Sequence, residues 1–207
     1  MTATEHRPPL PDRGGRKRGG SRLLNALVGL SLAGGAIGLQ TFHLNANAAD
    51  APLTYLGGKG RQVDAKRFAV RLNSFAVAKA IENSGKTIQA DHLFLIIDAS
   101  AMSSTEPLHL GQPVLLTTDG KRFSVTDVLG GVTTLTDRWV QPGIWTNGFS
   151  YFEVPASALP GARIVITLPP AAVTEPYQPE VEIDLGLDEA AARKLAAVPQ
   201  SLYSIKK

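Results

Sequence analysis

Cysteine is absent from this 207-residue chain. That excludes disulfides, thiolate metal sites, thiol catalysis and a lipidated-Cys anchor. Histidines number four, His6, His43, His92 and His109. No two share helical spacing and no HExxH pair exists, so no His-ligated metal is legible. The nucleophile-elbow pattern of serine hydrolases is missing too. Ser150, in Gly148-Phe149-Ser150-Tyr151-Phe152, lacks the second glycine and reads as an ordinary strand residue. Gly57-Gly58-Lys59-Gly60 is too short for a phosphate loop and has no Ser or Thr after its lysine. It reads as a flexible turn. Aromatic residues make up 6% and charged residues 19%, which is not the make-up of a disordered polyelectrolyte. These absences leave no catalytic constellation and imply no cofactor. The expectation is a non-enzymatic module.

The formal net charge of +3 is unevenly spread. Residues 1–22 hold Arg7, Arg13, Arg16, Lys17, Arg18 and Arg22 against Glu5 and Asp12. Residues 23–49 hold no charged side chain, and residues 50–207 hold 15 basic against 16 acidic. The body therefore has no electrostatic reason to bind nucleic acid. The Pro-, Gly- and Arg-rich residues 1–22 read as a disordered cytoplasmic tail.

Residues 23–42 are apolar enough to read as a transmembrane or signal-anchor helix, at the ~20 residues needed to cross hydrocarbon. Basic residues immediately before such a stretch stay on the cytoplasmic side. Asn25, Gln40, Thr41 and four glycines make the span marginal. A cleaved signal peptide is the alternative, with Ala46-Asn47-Ala48 as its small-x-small site and a domain secreted after cleavage near Ala48. Either way the remainder is extracytoplasmic, joined by a linker over 43–60.

Residues 61–187 read as an antiparallel β-sandwich. Phe68, Val70 and Leu72 alternate, the phase slips at Asn73-Ser74, and Phe75 and Val77 resume it, which predicts a β-bulge. His92–Ala101 reads as a central strand with Leu93, Leu95 and Ile97 on a core. Asp119-Gly120 predicts a hairpin turn. Further strands are expected at Phe149–Val154, Arg163–Leu168 and Val181–Leu185. Residues 188–207 read as a short helix and tail. Asp188 is placed to cap that helix, and Ala191, Leu195 and Val198 form its apolar stripe.

The order of signals over 60–187 resembles a bacterial family of extracytoplasmic immunoglobulin-like (telokin-like) domains of unknown function. The stretches that carry it are His92–Asp98, Asp119-Gly120-Lys121-Arg122-Phe123, Pro142-Gly143-Ile144-Trp145, Phe152-Glu153-Val154-Pro155, Leu159-Pro160-Gly161-Ala162-Arg163 and Ile183–Glu189. The tail and apolar segment look like the membrane-anchored versions of high-GC Gram-positive bacteria. The resemblance implies an immunoglobulin-like sandwich and an envelope location, and it brings no catalytic residues. The inter-sheet disulfide of many immunoglobulin domains is absent here.

Two groups of residues are candidates for binding. Both tryptophans, Trp139 and Trp145, bracket Pro142-Gly143, with Arg138 beside them. Trp is enriched at interfaces because its ring supplies contact area and its N–H direction. Trp145 is the favoured contact, because Pro142-Gly143 projects it from the strand. Glu180, Glu182 and Asp184 alternate, so they share one strand face at about 6.6 Å spacing. Such carboxylates could recruit calcium, although solvated strand carboxylates are common. The leading expectation is a membrane-anchored module that binds a protein partner or holds an envelope assembly together. The alternative is an accessory domain that binds or weakly processes cell-envelope polysaccharide, with or without calcium.

Overall fold

The structure, a computed structural model, describes residues 26–32, 52–170 and 177–205. The chain divides into two units, 1–46 and 47–207. In the first, residues 26–32 are helical and their side chains exposed. The basic tail, most of the 23–42 segment and the Ala46–Ala48 site lie outside the described residues. Among the described residues no helix is long and apolar enough to cross a membrane.

The second unit is mainly β. One sheet has the order β1-β9-β8-β5-β6, built from Leu53–Gly58, Pro179–Asp184, Arg163–Thr167, Val114–Leu116 and Arg122–Ser124. The other has the order β10-β3-β4-β7, built from Tyr203–Ser204, Phe68–Asn83, Lys86–Ser103 and Thr146–Val154, with β2 (Gln62–Asp64) on β3. Alternation decides what lies between them. Phe68, Val70, Leu72 and Val77 of β3, Leu95 and Ile97 of β4, Ile164 of β8 and Ile183 of β9 are all buried in one core. The predicted slip is present: the β3–β4 register shifts between Leu72 and Ser74. The hairpin turns at Gly120, whose φ of 80° suits glycine. Asp188 caps the C-terminal helix Glu189–Ala197 by accepting from the Ala191 N–H at 2.7 Å.

Five expectations need correction. The pairing is not wholly antiparallel, since β1 runs parallel to β9 and β10 parallel to β3. Leu53–Gly58, assigned to the linker, is strand β1. Its Gly57 lies so close to β2 that a Cβ would fall 2.0 Å from Val63 Cγ2. Gly57 is therefore packed, and the Gly57-Gly58 pair is a strand end paired with Ile183 and Asp184 rather than a free turn. The tail returns to the sheet as β10. Finally, Val198 is 80% exposed, while Ala192 is the helix residue that is buried.

The central strand is covered on both faces. Phe94 and Ile96, pointing away from the main core, join Ala78, Ile81, Leu129 and Tyr151 in a second cluster. The connection between β6 and β7 supplies Leu129. Asn83 holds it in place, its amide donating to the Leu129 carbonyl at 3.0 Å and the Gly130 carbonyl at 3.2 Å.

Candidate functional site

A 3-10 turn, Leu135–Asp137, leads into the tryptophan loop. Thr134 precedes it, and both its backbone N–H (2.7 Å) and its hydroxyl (2.8 Å) donate to the Asp137 carboxylate. Those two bonds hold the Asp137 carboxyl below the usual carboxylate range, with a smaller contribution from nearby His109. Leu135 is buried and lies against Gly148 of β7, where a Cβ would come 2.6 Å from Leu135 Cα. Only glycine lets the turn sit this close.

The loop is then tied down by backbone. Val140 exchanges bonds with Leu108 at 2.8 and 3.0 Å, and Gly143 donates to the Ser103 carbonyl at 3.2 Å. Val140 is fully buried between the two tryptophans. A rigid support of this kind lowers the conformational cost of presenting side chains to a partner.

Trp139 is 58% exposed and Ile144 62% exposed. The Trp139 ring packs on His109, with centroids 4.1 Å apart and planes at 47°. The His109 Nδ1 lies 3.2 Å from the Thr136 carbonyl oxygen. Trp145 is half-buried, and the Arg71 guanidinium sits over its ring at 4.6 Å, a cation–π arrangement. The more exposed tryptophan is thus Trp139, not the favoured Trp145. Gly143 takes a φ of 70°, and the turn projects Ile144 instead. Arg138 is exposed beside Trp139. Sequence reasoning missed His109 and Arg71. Both come from distant strands or loops and reach the tryptophans only through the fold.

The three carboxylates are not brought together on a common ligand. Glu182 is buried and paired with Arg163 on neighbouring β8. Glu180 accepts from the Thr54 hydroxyl of β1 at 3.2 Å. Asp184 accepts from the Gly186 N–H at 2.8 Å. Among the described residues no group of three or more His, Cys, Asp or Glu side chains converges to hold a metal ion.

No protein-family model and no curated protein matches the chain. Three solved structures are similar at low identity. The yjhA protein from Bacillus subtilis is 14% identical with a TM-score of 0.47, over 62% of this chain and 99% of that one. An uncharacterized beta-sandwich protein from Clostridium difficile is 11% identical with a TM-score of 0.40, over 65% and 95%. The secreted protein MPT63 from Mycobacterium tuberculosis is 13% identical with a TM-score of 0.44, over 65% and 98%. No residue role is carried over from any of them. The β-sandwich architecture stands on this chain's own two sheets.

Proposed function

We propose that this chain is a non-enzymatic, membrane-anchored module whose extracytoplasmic sandwich, an immunoglobulin-like domain, binds a protein partner through the Trp139–Trp145 loop. The observation that carries the reading is a tryptophan and an isoleucine, both more than half exposed, held on a loop pinned by backbone bonds. Large rigid side chains of this kind supply most of the energy of an interface. Arg138 and His109 lie beside Trp139 and Arg71 over Trp145, so the partner surface is an apolar pocket rimmed by carboxylates. The tether rests on the basic residues 1–22 followed by the uncharged residues 23–49. It places the N-terminus in the cytoplasm and the sandwich outside.

Photo-crosslinking in the producing cell tests this. A photoreactive amino acid replaces Ile144 or Trp139 in the full chain, and Lys121 serves as the control position. One adduct of a single mass is expected from positions 144 and 139 and none from 121. Arg138→Glu should abolish it. Equal labelling from all three positions, or none from 144 and 139, removes the loop from consideration. The same adduct, weighed intact, reads the tether: a mature chain starting at Ala49 would replace the anchor with a cleaved signal and a secreted domain.

A further inference from the structure

The outer face of the β10-β3-β4-β7 sheet extends beyond the tryptophan loop, which meets it at Arg71 and Arg138. Residues paired across neighbouring strands share a face. Ser74, Asp98 and Phe149 therefore make one row, and Ala76, Ile96 and Tyr151 the next. Two adjoining clefts of about 380 and 260 Å³ open there, both lined by Phe149, Tyr151 and Ile205. Tyr203 lines the smaller one, and Asn83 and Arg138 the larger. We infer that this face is a second binding site, for a neutral hydroxyl-rich ligand of the pyranose oligosaccharide class.

Two kinds of group lie on this face, aromatic rings in the clefts and a polar cluster around Asp98, the strand partner of Phe149. The Phe149 and Tyr151 rings stand 6.3 Å apart at 27°, nearly parallel and on one strand. Tyr151 is only 3% exposed and backs the partly buried Phe149, so Phe149 and Tyr203, which both line the smaller cleft, are the rings against which the C–H face of a pyranose packs. Beside them, the Asp98 Oδ1 accepts from the amides of Asn147 at 2.6 Å and Asn73 at 3.0 Å. The Asn73 amide also donates to the Ser100 hydroxyl at 2.9 Å. The other carboxylate oxygen, Oδ2, has only a long 3.5 Å approach from the Ser74 hydroxyl, so it keeps capacity to accept from a sugar hydroxyl. Burial pushes the Tyr151 phenol up to about 12, with Tyr203 adding to it. Burial and then the Asp98 charge raise Tyr203. Both phenols stay protonated at neutral pH and can donate.

These groups sit on strands rather than loops, which holds a site in place before its ligand arrives. Among the described residues lining the clefts, Arg138 alone is charged. That is far short of the basic stripe a nucleic acid needs. A purely apolar ligand would leave the Asp98, Asn73 and Asn147 network without a role. A sugar uses both halves.

The test is calorimetric titration of the full chain, in a sugar-free zwitterionic detergent, with cellotetraose, chitotetraose and maltotetraose in turn. At least one should bind with Kd below about 1 mM. Phe149→Ala, at a partly buried position on the edge of the second cluster, should keep the fold and weaken that binding by at least about tenfold. Tyr203→Phe, which removes only a hydroxyl, should weaken it less, and Trp139→Ala should leave it unchanged. The inference is overturned by no binding of any of the three sugars up to about 10 mM. It is equally overturned if Phe149→Ala has no effect on binding, or if that variant converts a dimer to a monomer in sedimentation, which would give the cleft to a second copy. Trp139→Ala tells the two sites apart, because loss of the protein adduct with sugar binding intact touches only the loop.

Discussion

Asp119 shows how far local bonding moves a single carboxyl. Its carboxylate is paired with Lys121 at 2.8 Å and accepts from the Thr117 hydroxyl. Those contacts, Lys121 first, hold it at about 2 against an ordinary 3.8. A folded pKa below the unfolded one stabilises above the unfolded value and is lost as pH falls through the folded value. The turn therefore keeps this contribution above pH 3.8 and loses it between 3.8 and about 2. A carbon-detected NMR titration of the Asp119 carboxyl should give a midpoint near 2, moving toward 3.8 in Lys121→Met. A wild-type midpoint near 4 would contradict the pairing. The Asp-Gly turn itself was legible in the sequence, because its chemistry is local. The state of Glu182 was not. Alternation put it on the outer face with Glu180 and Asp184, yet it is only 8% exposed because Arg163, on the adjacent strand, covers and neutralises it. Period-2 patterning says which face a residue is on. It says nothing about what a neighbouring strand lays over that face.

Among the elements, the long strands declared themselves and the short ones did not. Sixteen residues of β3 and eighteen of β4 give alternation enough repeats to be read, even through the bulge. Leu53–Gly58 ends in two glycines and pairs in parallel at a sheet edge, so neither its composition nor its spacing marks it. The two-residue β10 has no pattern to detect. The candidate loop was visible because both tryptophans lie close in sequence. The aromatic clefts were not, because their walls come from β7, β10 and the connection after β6. The coupling between β7 and the loop rests on Gly148. An alanine there must push its Cβ into the Leu135 backbone, at 2.6 Å from Cα and 2.9 Å from N. Overpacking of that kind costs about 1–3 kcal/mol. Gly148→Ala should lower Tm by about 3–10 °C and shift tryptophan emission, since the displaced 3-10 turn feeds directly into Trp139. An unchanged Tm and spectrum would mean that the turn is free to move off the strand.

At the scale of the whole molecule, the question is which chain length closes both hydrophobic clusters. The main core lies between the sheets, and β9 contributes Val181 and Ile183 to it. Tyr55 of β1 packs against the same core, and β1 occupies the edge of β9 along its full length, from Leu53 opposite Pro179 to Gly58 opposite Asp184. At the other end, Ala192 of the C-terminal helix is buried in that core. Tyr203 and Ile205 pack on the second cluster, the one that covers Phe94 and Ile96. The boundaries read from sequence patterning, 61–187, keep β9 but remove Tyr55, Ala192, Tyr203 and Ile205 at once. A fully buried large apolar side chain is worth about 1.5–3 kcal/mol. Tyr55, Tyr203 and Ile205 are partly buried and Ala192 is small, so each is worth less. Their combined loss still weighs on a domain that has only about 5–15 kcal/mol to lose. Residues 52–205 expressed alone should therefore melt cooperatively, with a β-type circular dichroism spectrum and ordered aromatic signals. Residues 61–187 should instead give a non-cooperative melt or aggregate, with the second cluster open to hydrophobic dye. Adding back 52–60 alone should restore only part of the stability, because Ala192, Tyr203 and Ile205 would still be missing. If 61–187 melts at the same temperature as 52–205, then β1, the helix and β10 are appendages, and the two clusters close without them.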